Sequence, residues 1–398
     1  MTSSRSVEFI ILVALLNAIT AMSIDTMLPA IGVIANDLGA SDPNQRQFII
    51  TAFFAGMTFG TLIFGPLSDS IGRKPAIFAG IVIYIAGSVL CFGATGFSAL
   101  LIGRFVAGLG AASPRIVSMA LVRDGLAGSS MARVMSFVMT VFMIVPIIAP
   151  SIGQAVLLFF SWRVIFAGLL AMSVIAGIWF ALRQDETLPV EKRRPFSVKA
   201  LYEAGVESCR HPVTMGYTLA SGFIFAGLIG YLGTSQQIFA ELYEQGPLFA
   251  LWFAFFASAI AIAMILNGRF VMKIGMRRIT KIAIRLLVVT SLLMLVAVYF
   301  TNGHPPLAIL GLYCFVIFFC NGLMFGNYNA LALEPMGHIA GMASSVSGFL
   351  YSLISIAGGS LIGLAYQGTI TPLVIGFGGF GVLALLATEW AEARRPRA

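Results

Sequence analysis

Charge is what this sequence most lacks. Only 10% of its 398 residues are Asp, Glu, Lys or Arg, against about 25% in a water-soluble globular domain. With 59% hydrophobic residues, the chain cannot wet its own surface, which excludes a soluble fold and predicts a membrane protein. Cysteine and histidine are equally sparse. The four cysteines, Cys91, Cys209, Cys314 and Cys320, fit neither a disulfide framework nor a metal site. His211, His304 and His338 fall in three separate loops or helix ends, so no metal cluster and no cofactor are expected. A Gly-Lys-Ser/Thr phosphate loop is missing, which argues against an ATP-driven pump. No catalytic cluster and no soluble signalling domain are visible, so an enzyme or a receptor on this scaffold is not supported.

The chain does have long apolar runs, and a charged turn that occurs twice. Gly65-Pro66-Leu67-Ser68-Asp69-Ser70-Ile71-Gly72-Arg73-Lys74-Pro75 separates two such runs. A faded copy follows at Asn267-Gly268-Arg269-Phe270 and Lys273-Ile274-Gly275-Met276-Arg277-Arg278, with Met272 in place of the acid. Because each copy lies between the second and third runs of its half, a duplication is expected. The runs are continuous rather than alternating, which fits helices and not barrel strands. They lie at roughly 8–35, 45–68, 75–94, 98–121, 134–160, 162–182, 212–239, 247–272, 279–300, 307–332, 342–366 and 372–390, each near the roughly 20 residues that cross a bilayer. The expected fold is therefore an all-α membrane protein of twelve transmembrane helices in two six-helix pseudo-repeats. Residues 1–182 form one half and 211–398 the other, with 183–210 as a charged, proline-marked linker.

Placing both termini in the cytoplasm puts nearly every loop cation inside, leaving only Arg46 and Arg163 outside. The net charge of +8 then reflects topology. It predicts contact with anionic membrane lipids and gives no sign of nucleic-acid binding. The first run is too long for a signal-peptide core, so it is expected to be retained. Within the linker, Ser197-Val198-Lys199-Ala200-Leu201-Tyr202 can form a short amphipathic surface helix.

Several residues stand out on physical grounds. Asp25 is the carboxylate placed well inside a span, where a charge costs about 2.5–3.5 kcal/mol. It is either a proton- or substrate-coupling group or a polar cap on the outer end of the first helix. Arg104 and Arg115 are eleven residues apart on one helix, about 20° past three full turns at 100° per residue, and so share a face. Arg104 lies at a depth compatible with Asp25, as an ion-pair partner or as part of a coupling switch. Pro146, Pro150 and Gly153 interrupt the fifth run, as a hinge or as a packing kink. Asn17, Arg115, Phe223, Tyr231, Trp252, Asn321 and Asn327 are the expected cavity lining. An aromatic cavity with few charges suits bulky amphipathic molecules better than sugars.

The stretch Gly65 to Pro75 resembles the signature between helices two and three of the major facilitator superfamily. Asp25-Thr26-Met27-Leu28-Pro29-Ala30-Ile31, Arg104-Phe105 through Gly108-Leu109-Gly110-Ala111-Ala112, Val122-Arg123-Asp124, Ala149-Pro150-Ser151-Ile152-Gly153 and Trp162-Arg163 with Phe166 are similar to motifs of its twelve-helix drug:proton antiporters, of the bicyclomycin-resistance (Bcr/CflA) type. Ala149 and Gln154 depart from that family's glycine-rich fifth-helix motif, and Pro114-Arg115 is a further departure. The resemblance implies an inner gate of Gly65, Asp69, Gly72, Arg73, Lys74 and Asp124, with Arg73 reaching Asp124. It implies export of hydrophobic or amphipathic drugs against protons across the inner membrane, by alternating access and as a monomer. The alternative is a proton-coupled symporter or facilitator importing a small organic solute.

Overall fold

A computed structural model of the chain describes residues 3–125, 128–193 and 195–395. Of the loop cations expected on the cytoplasmic side, Arg194 and Arg397 lie outside the described residues, as do the side chains of Arg5 and Arg133. Every long element among the described residues is a helix. In order they are α1 (Ser3–Asp25), α2 (Ile31–Asp37), α3 (Phe48–Ile71), α4 (Arg73–Phe92), α5 (Phe97–Gly125), α6 (Gly128–Phe159), α7 (Arg163–Arg183) and α8 (Val198–Arg210). They continue with α9 (Pro212–Gln236), α10 (Phe249–Ile274), α11 (Met276–Phe300), α12 (Leu307–Leu333), α13 (Ala340–Leu364) and α14 (Thr371–Ala393).

Ten stretches among the described residues are long and apolar enough to cross a membrane. One of them, Leu307–Leu364, joins α12 and α13 through a 3₁₀ segment at Glu334–Ile339, and α6 adds a shorter apolar segment at Met143–Phe159. Bilayer hydrocarbon offers backbone amides no partners, so crossing segments must satisfy their own hydrogen bonds, which helices do.

The first expected run, 8–35, is not one continuous helix. It breaks after Asp25 into a turn, a 3₁₀ segment at Leu28–Ala30 and then α2. Pro29, which has no N–H to donate, sits in that 3₁₀ segment. The expected tether at 183–210 is also more ordered than a linker need be. It carries a 3₁₀ turn at Val190–Lys192 and then α8, whose amphipathic pattern was visible in the sequence.

The chain divides into two compact units, Met1–Ser41 with Ala52–Val198, and Asp42–Thr51 with Lys199–Ala398. In the first, α4 and α5 pack against each other extensively and α1 lies against α5, α6 and α7. In the second, α9 packs along α13 and α14, and α12 lies against α10 and α11. α3 begins in the second unit and continues into the first.

Candidate functional site

In the first unit, the turn between α3 and α4 gathers the charges expected of an inner gate. Gly72 has φ +106°, a conformation that L side chains rarely adopt, and this lets the chain reverse tightly between the two helices. The next residue, Arg73, has a nearly buried side chain. Its Nη1 donates to Asp69 Oδ1 at 2.5 Å and to Ser68 Oγ at 2.8 Å, and its Nε donates to Asp124 Oδ2 at 2.7 Å. The guanidinium fork thus ties the end of α3, the start of α4 and the end of α5 together, using the planar geometry that distinguishes Arg from Lys. Gly65 supplies the carbonyl that accepts from Ser68 Oγ at 2.9 Å. Lys74 Nζ reaches past this knot to the Ala181 carbonyl at the end of α7, at 3.0 Å.

One further acid belongs to this cluster, and the sequence reading missed it. Glu186, just beyond α7, accepts from the backbone N–H of Arg73 at 2.9 Å and of Lys74 at 3.0 Å. It also accepts from its own neighbours, Leu188 at 2.9 Å and Thr187 at 3.0 Å. Gly72 has no side chain to cap α4, so a carboxylate from the linker does so and meets the positive end of the helix dipole. Partial burial pushes the Glu186 carboxyl up, but the amides of Leu188, Arg73, Lys74 and Thr187 outweigh it and hold the group below its ordinary 4.5. The only signal in the sequence was an acid closely following a span. Its partners lie more than a hundred residues earlier, beyond the reach of any local pattern.

Deeper in the same unit, Asp25 is the last residue of α1 and is 6% exposed. No ion pair among the described residues reaches it. Arg104, the partner entertained from the sequence, is instead 1% exposed with its guanidinium 4.3 Å above the Phe53 ring. A cation over an aromatic face recovers about 2 kcal/mol when desolvated, which offsets much of the cost of its burial. The break after Asp25 is covered by α6, where Gly153 approaches the Thr26 carbonyl. Ser23 Oγ and Tyr84 OH hydrogen-bond at 2.5 Å, and Thr20 Oγ1 donates to the Ala111 carbonyl at 3.2 Å. Asn17 is spent on Val13 O (2.8 Å) and Ser118 Oγ (2.9 Å). Arg115 is half-buried, with Nη1 3.6 Å from Met57 Sδ. Pro146 and Pro150 lie inside α6. In the Trp162-Arg163-Phe166 motif, Trp162 Nε1 donates to Asp37 Oδ2 at 2.8 Å and Arg163 stacks 4.2 Å above the indole.

In the second unit, Gly275 between α10 and α11 has φ +84°, so both copies of the turn use the same kind of glycine. The charges, however, are routed differently. Arg277 and Lys281 on α11 both pair with Glu392 near the end of α14, and Tyr217 OH donates to Glu392 at 2.7 Å. Met272, at the position of Asp69, is 89% exposed. Three residues expected to line a cavity, Tyr231, Asn321 and Asn327, are buried in this unit. Tyr231 is fully buried against Phe253, Phe256 and Phe318. Asn327 exchanges amide bonds with Asn267 (2.8 and 3.4 Å), and Asn321 donates to Ile317 O at 2.8 Å. The two amides are satisfied against their own helix or a neighbour, whereas the buried Tyr231 hydroxyl has no hydrogen-bond partner among the described residues. Phe223 stacks on Phe380 at 6.2 Å, and Trp252 packs on Phe239 and Phe256. Glu334 pairs with Arg395 at 2.6 Å.

The family model for the Major Facilitator Superfamily matches residues 13–359. The chain belongs to that superfamily. As a major facilitator protein it is a multi-pass membrane transporter. It is 29% identical over 390 residues to a bicyclomycin resistance protein homolog of Haemophilus influenzae, covering 97% of this chain and 96% of that one. It is 29% identical over 346 residues to the multidrug resistance protein MdtL of Klebsiella pneumoniae, covering 85% and 83%. Its fold is similar to that of the xylose transporter XylE from E. coli, with TM-score 0.73 at 13% identity, covering 99% and 98%. The resemblance drawn from the motifs is thus matched by relatives along nearly the whole chain.

Proposed function

We propose that this major facilitator protein exports hydrophobic or amphipathic drugs across the inner membrane in exchange for protons, by alternating access. The observation that carries the reading is the likeness to a bicyclomycin resistance protein homolog over 97% of the chain. Likeness to XylE bears on the fold alone. Both termini are cytoplasmic in this reading, the helices form two six-helix pseudo-repeats, and the protein works as a monomer without catalytic chemistry. Asp25 carries the proton. It is a carboxylate in a membrane span without an ion-pair partner among the described residues, placed where the first span breaks. Arg104, fixed over Phe53, keeps positive charge in the same helical unit. Asp69, Arg73, Asp124 and Glu186 form the inner gate, because their bonds join the ends of α3, α5 and α7 to the start of α4. Everted membrane vesicles test the reading. An added drug should dissipate a preset proton gradient in vesicles carrying the protein and leave control vesicles unchanged. Proton-coupled uptake of a small solute with no response to any drug would favour the importing alternative.

A further inference from the structure

Within the first unit, one acid ties the start of α1 to the end of α7. Glu8 Oε1 accepts from Trp179 Nε1 at 3.0 Å and from Arg183 Nε at 2.6 Å, and Glu8 Oε2 accepts from Arg183 Nη2 at 3.1 Å. The guanidinium thus meets the carboxylate through two bonds, a geometry that fixes direction as well as distance. The Arg183 side chain is 61% exposed, but that of Glu8 is only 23% exposed. A shielded acid with a third bond from an indole is more than a loose surface pair. Glu8 is also one end of a stiff rod. From Glu8 to Asp25 the chain has neither proline nor glycine, the residues at which helices bend, and α1 is unbroken throughout. The two carboxylates are seventeen residues apart, about 25 Å of helix.

The far side of this tie leads to the charged turn. Trp179, Ala181 and Arg183 are all among the last five residues of α7, and Glu186 follows three residues after Arg183. Trp179 and Arg183 hold α1, as described. The Ala181 carbonyl accepts from Lys74 Nζ at 3.0 Å, and Glu186 accepts from the backbone N–H of Arg73 at 2.9 Å and of Lys74 at 3.0 Å. Residues 179–186 therefore have α1 on one side and the start of α4 on the other. Arg73 in turn holds Asp69 and Asp124. A continuous run of bonds thus leads from the helix that ends in Asp25 to the candidate inner gate, and every residue in it belongs to the first unit.

We infer that residues 179–186 transmit the state of α1 to the inner gate, with Glu8 and Arg183 as positioning residues that set where Glu186 meets α4. A displacement of α1 on protonation of Asp25 is passed by Glu8 to the end of α7, and by Glu186 to the amides of Arg73 and Lys74. The transmission rests on the reading of Asp25 as the proton carrier given above, whereas the tie between Glu8 and the start of α4 does not. A run of bonds becomes a coupling only when a response is shown to pass along it, so the test reads both.

The measurement is hydrogen exchange of the purified full-length protein in nanodiscs, read on a peptide spanning the start of α4 and corrected for the intrinsic effect of pH. Glu8→Gln should speed exchange at the Arg73 and Lys74 amides by about threefold, within the range of a partly exposed ion pair. Arg183→Gln should do the same, and the double variant should exchange no faster than either single, because both remove one interaction. In the wild type, protection of these amides should change between mildly acid and mildly alkaline pH. Glu8→Gln should lose that response and keep the pH slope of drug binding, a separation that a merely structural contact would not produce. Wild-type exchange at the start of α4 in both single variants overturns the tie. A pH response of wild-type size in Glu8→Gln, or none in the wild type, overturns the transmission. If Glu8→Gln does not give folded protein, Arg183→Gln and Trp179→Phe, which removes only the indole N–H, decide the matter. Failure of the Asp25 reading shows instead as a flat binding slope in the wild type, so the two failures are distinct.

Discussion

Gly153 on α6 stands so close to the backbone carbonyl of Thr26 that a Cβ there would lie 1.9 Å from the oxygen. The carbonyl belongs to the turn that follows Asp25, so the fifth-helix motif and the first-helix motif are one construction in space. Pro150, three residues before Gly153, leaves that part of α6 without a regular hydrogen bond and able to bend around the turn. Gly153→Ala must push α6 off the break after Asp25. The expected cost is about 1–3 kcal/mol, seen as a lower Tm, with drug-driven proton movement lost as well. Gly168→Ala on α7 is the control. Nothing lies within 4 Å of a Cβ at that position, and its Tm should stay near that of the wild type.

The two copies of the charged turn make opposite forecasts. Arg73 gives one nitrogen to Asp69 and another to Asp124, so Asp69→Asn leaves a buried guanidinium short of one charge. The variant should express and insert yet transport poorly in vesicles. Met272→Ala should be mild, since that side chain is 89% exposed and pairs with nothing ionic. Equal rates for Asp69→Asn and wild type would remove Asp69 from the gate.

What could be read in the sequence follows the range of the forces involved. Helix positions came from runs of apolar residues, a local property set by the bilayer. The turn at Gly72 came from a local cluster of charges, and its pairing with Asp124 from a motif resemblance. The cap by Glu186 did not come through, because its partners are backbone amides, which leave no trace in residue identity. The break after Asp25 was legible in Pro29, but the length of the apolar run hid it. Asn321 and Asn327 were expected to line a cavity as polar amides, and Tyr231 as an aromatic. In the fold, Asn327 found Asn267, sixty residues earlier on α10, while Asn321 turned to its own helix. Polarity indicates that a group needs a partner but does not indicate which one.

Glu186 gives a forecast with a pH sign. Its folded-state carboxyl titrates below its ordinary 4.5, so its stabilisation is fully present above that value and is lost as pH falls through the folded one. Glu186→Gln keeps the size but accepts fewer amide bonds, and should cost about 1 kcal/mol at neutral pH as a weakened helix cap. Measured by Tm, wild type and variant should differ at pH 7 and converge as pH falls below the folded carboxyl's lowered value. A difference that persists unchanged in acid would mean that the carboxylate is not what holds α4. Lys74→Ala tests the neighbouring contact. It removes only the bond to the Ala181 carbonyl and should leave the pH dependence intact.

Asp25 carries the last forecast, because export driven by protons needs a group that takes a proton on one side and gives it up on the other. The side chain is 6% exposed, ends α1 and has no ion-pair partner among the described residues, so its charge state is not fixed by a neighbouring cation. Asn at this position keeps the shape and some hydrogen bonding but cannot titrate. Asp25→Asn should therefore abolish drug-driven proton movement in everted vesicles while retaining drug binding in detergent. In the wild type, a proton and a cationic or neutral drug that alternate on the same unit make affinity depend on pH, by up to about tenfold per pH unit while one proton is exchanged. In the variant that slope should be flat. Arg104→Lys separates coupling from architecture. It keeps the charge over Phe53 and gives up the planar fork, so it should weaken folding or rate without flattening the pH slope. Parallel pH curves for wild type and Asp25→Asn would take the proton away from Asp25. Glu334 would then be the next acid to test, although it is already paired with Arg395 at 2.6 Å.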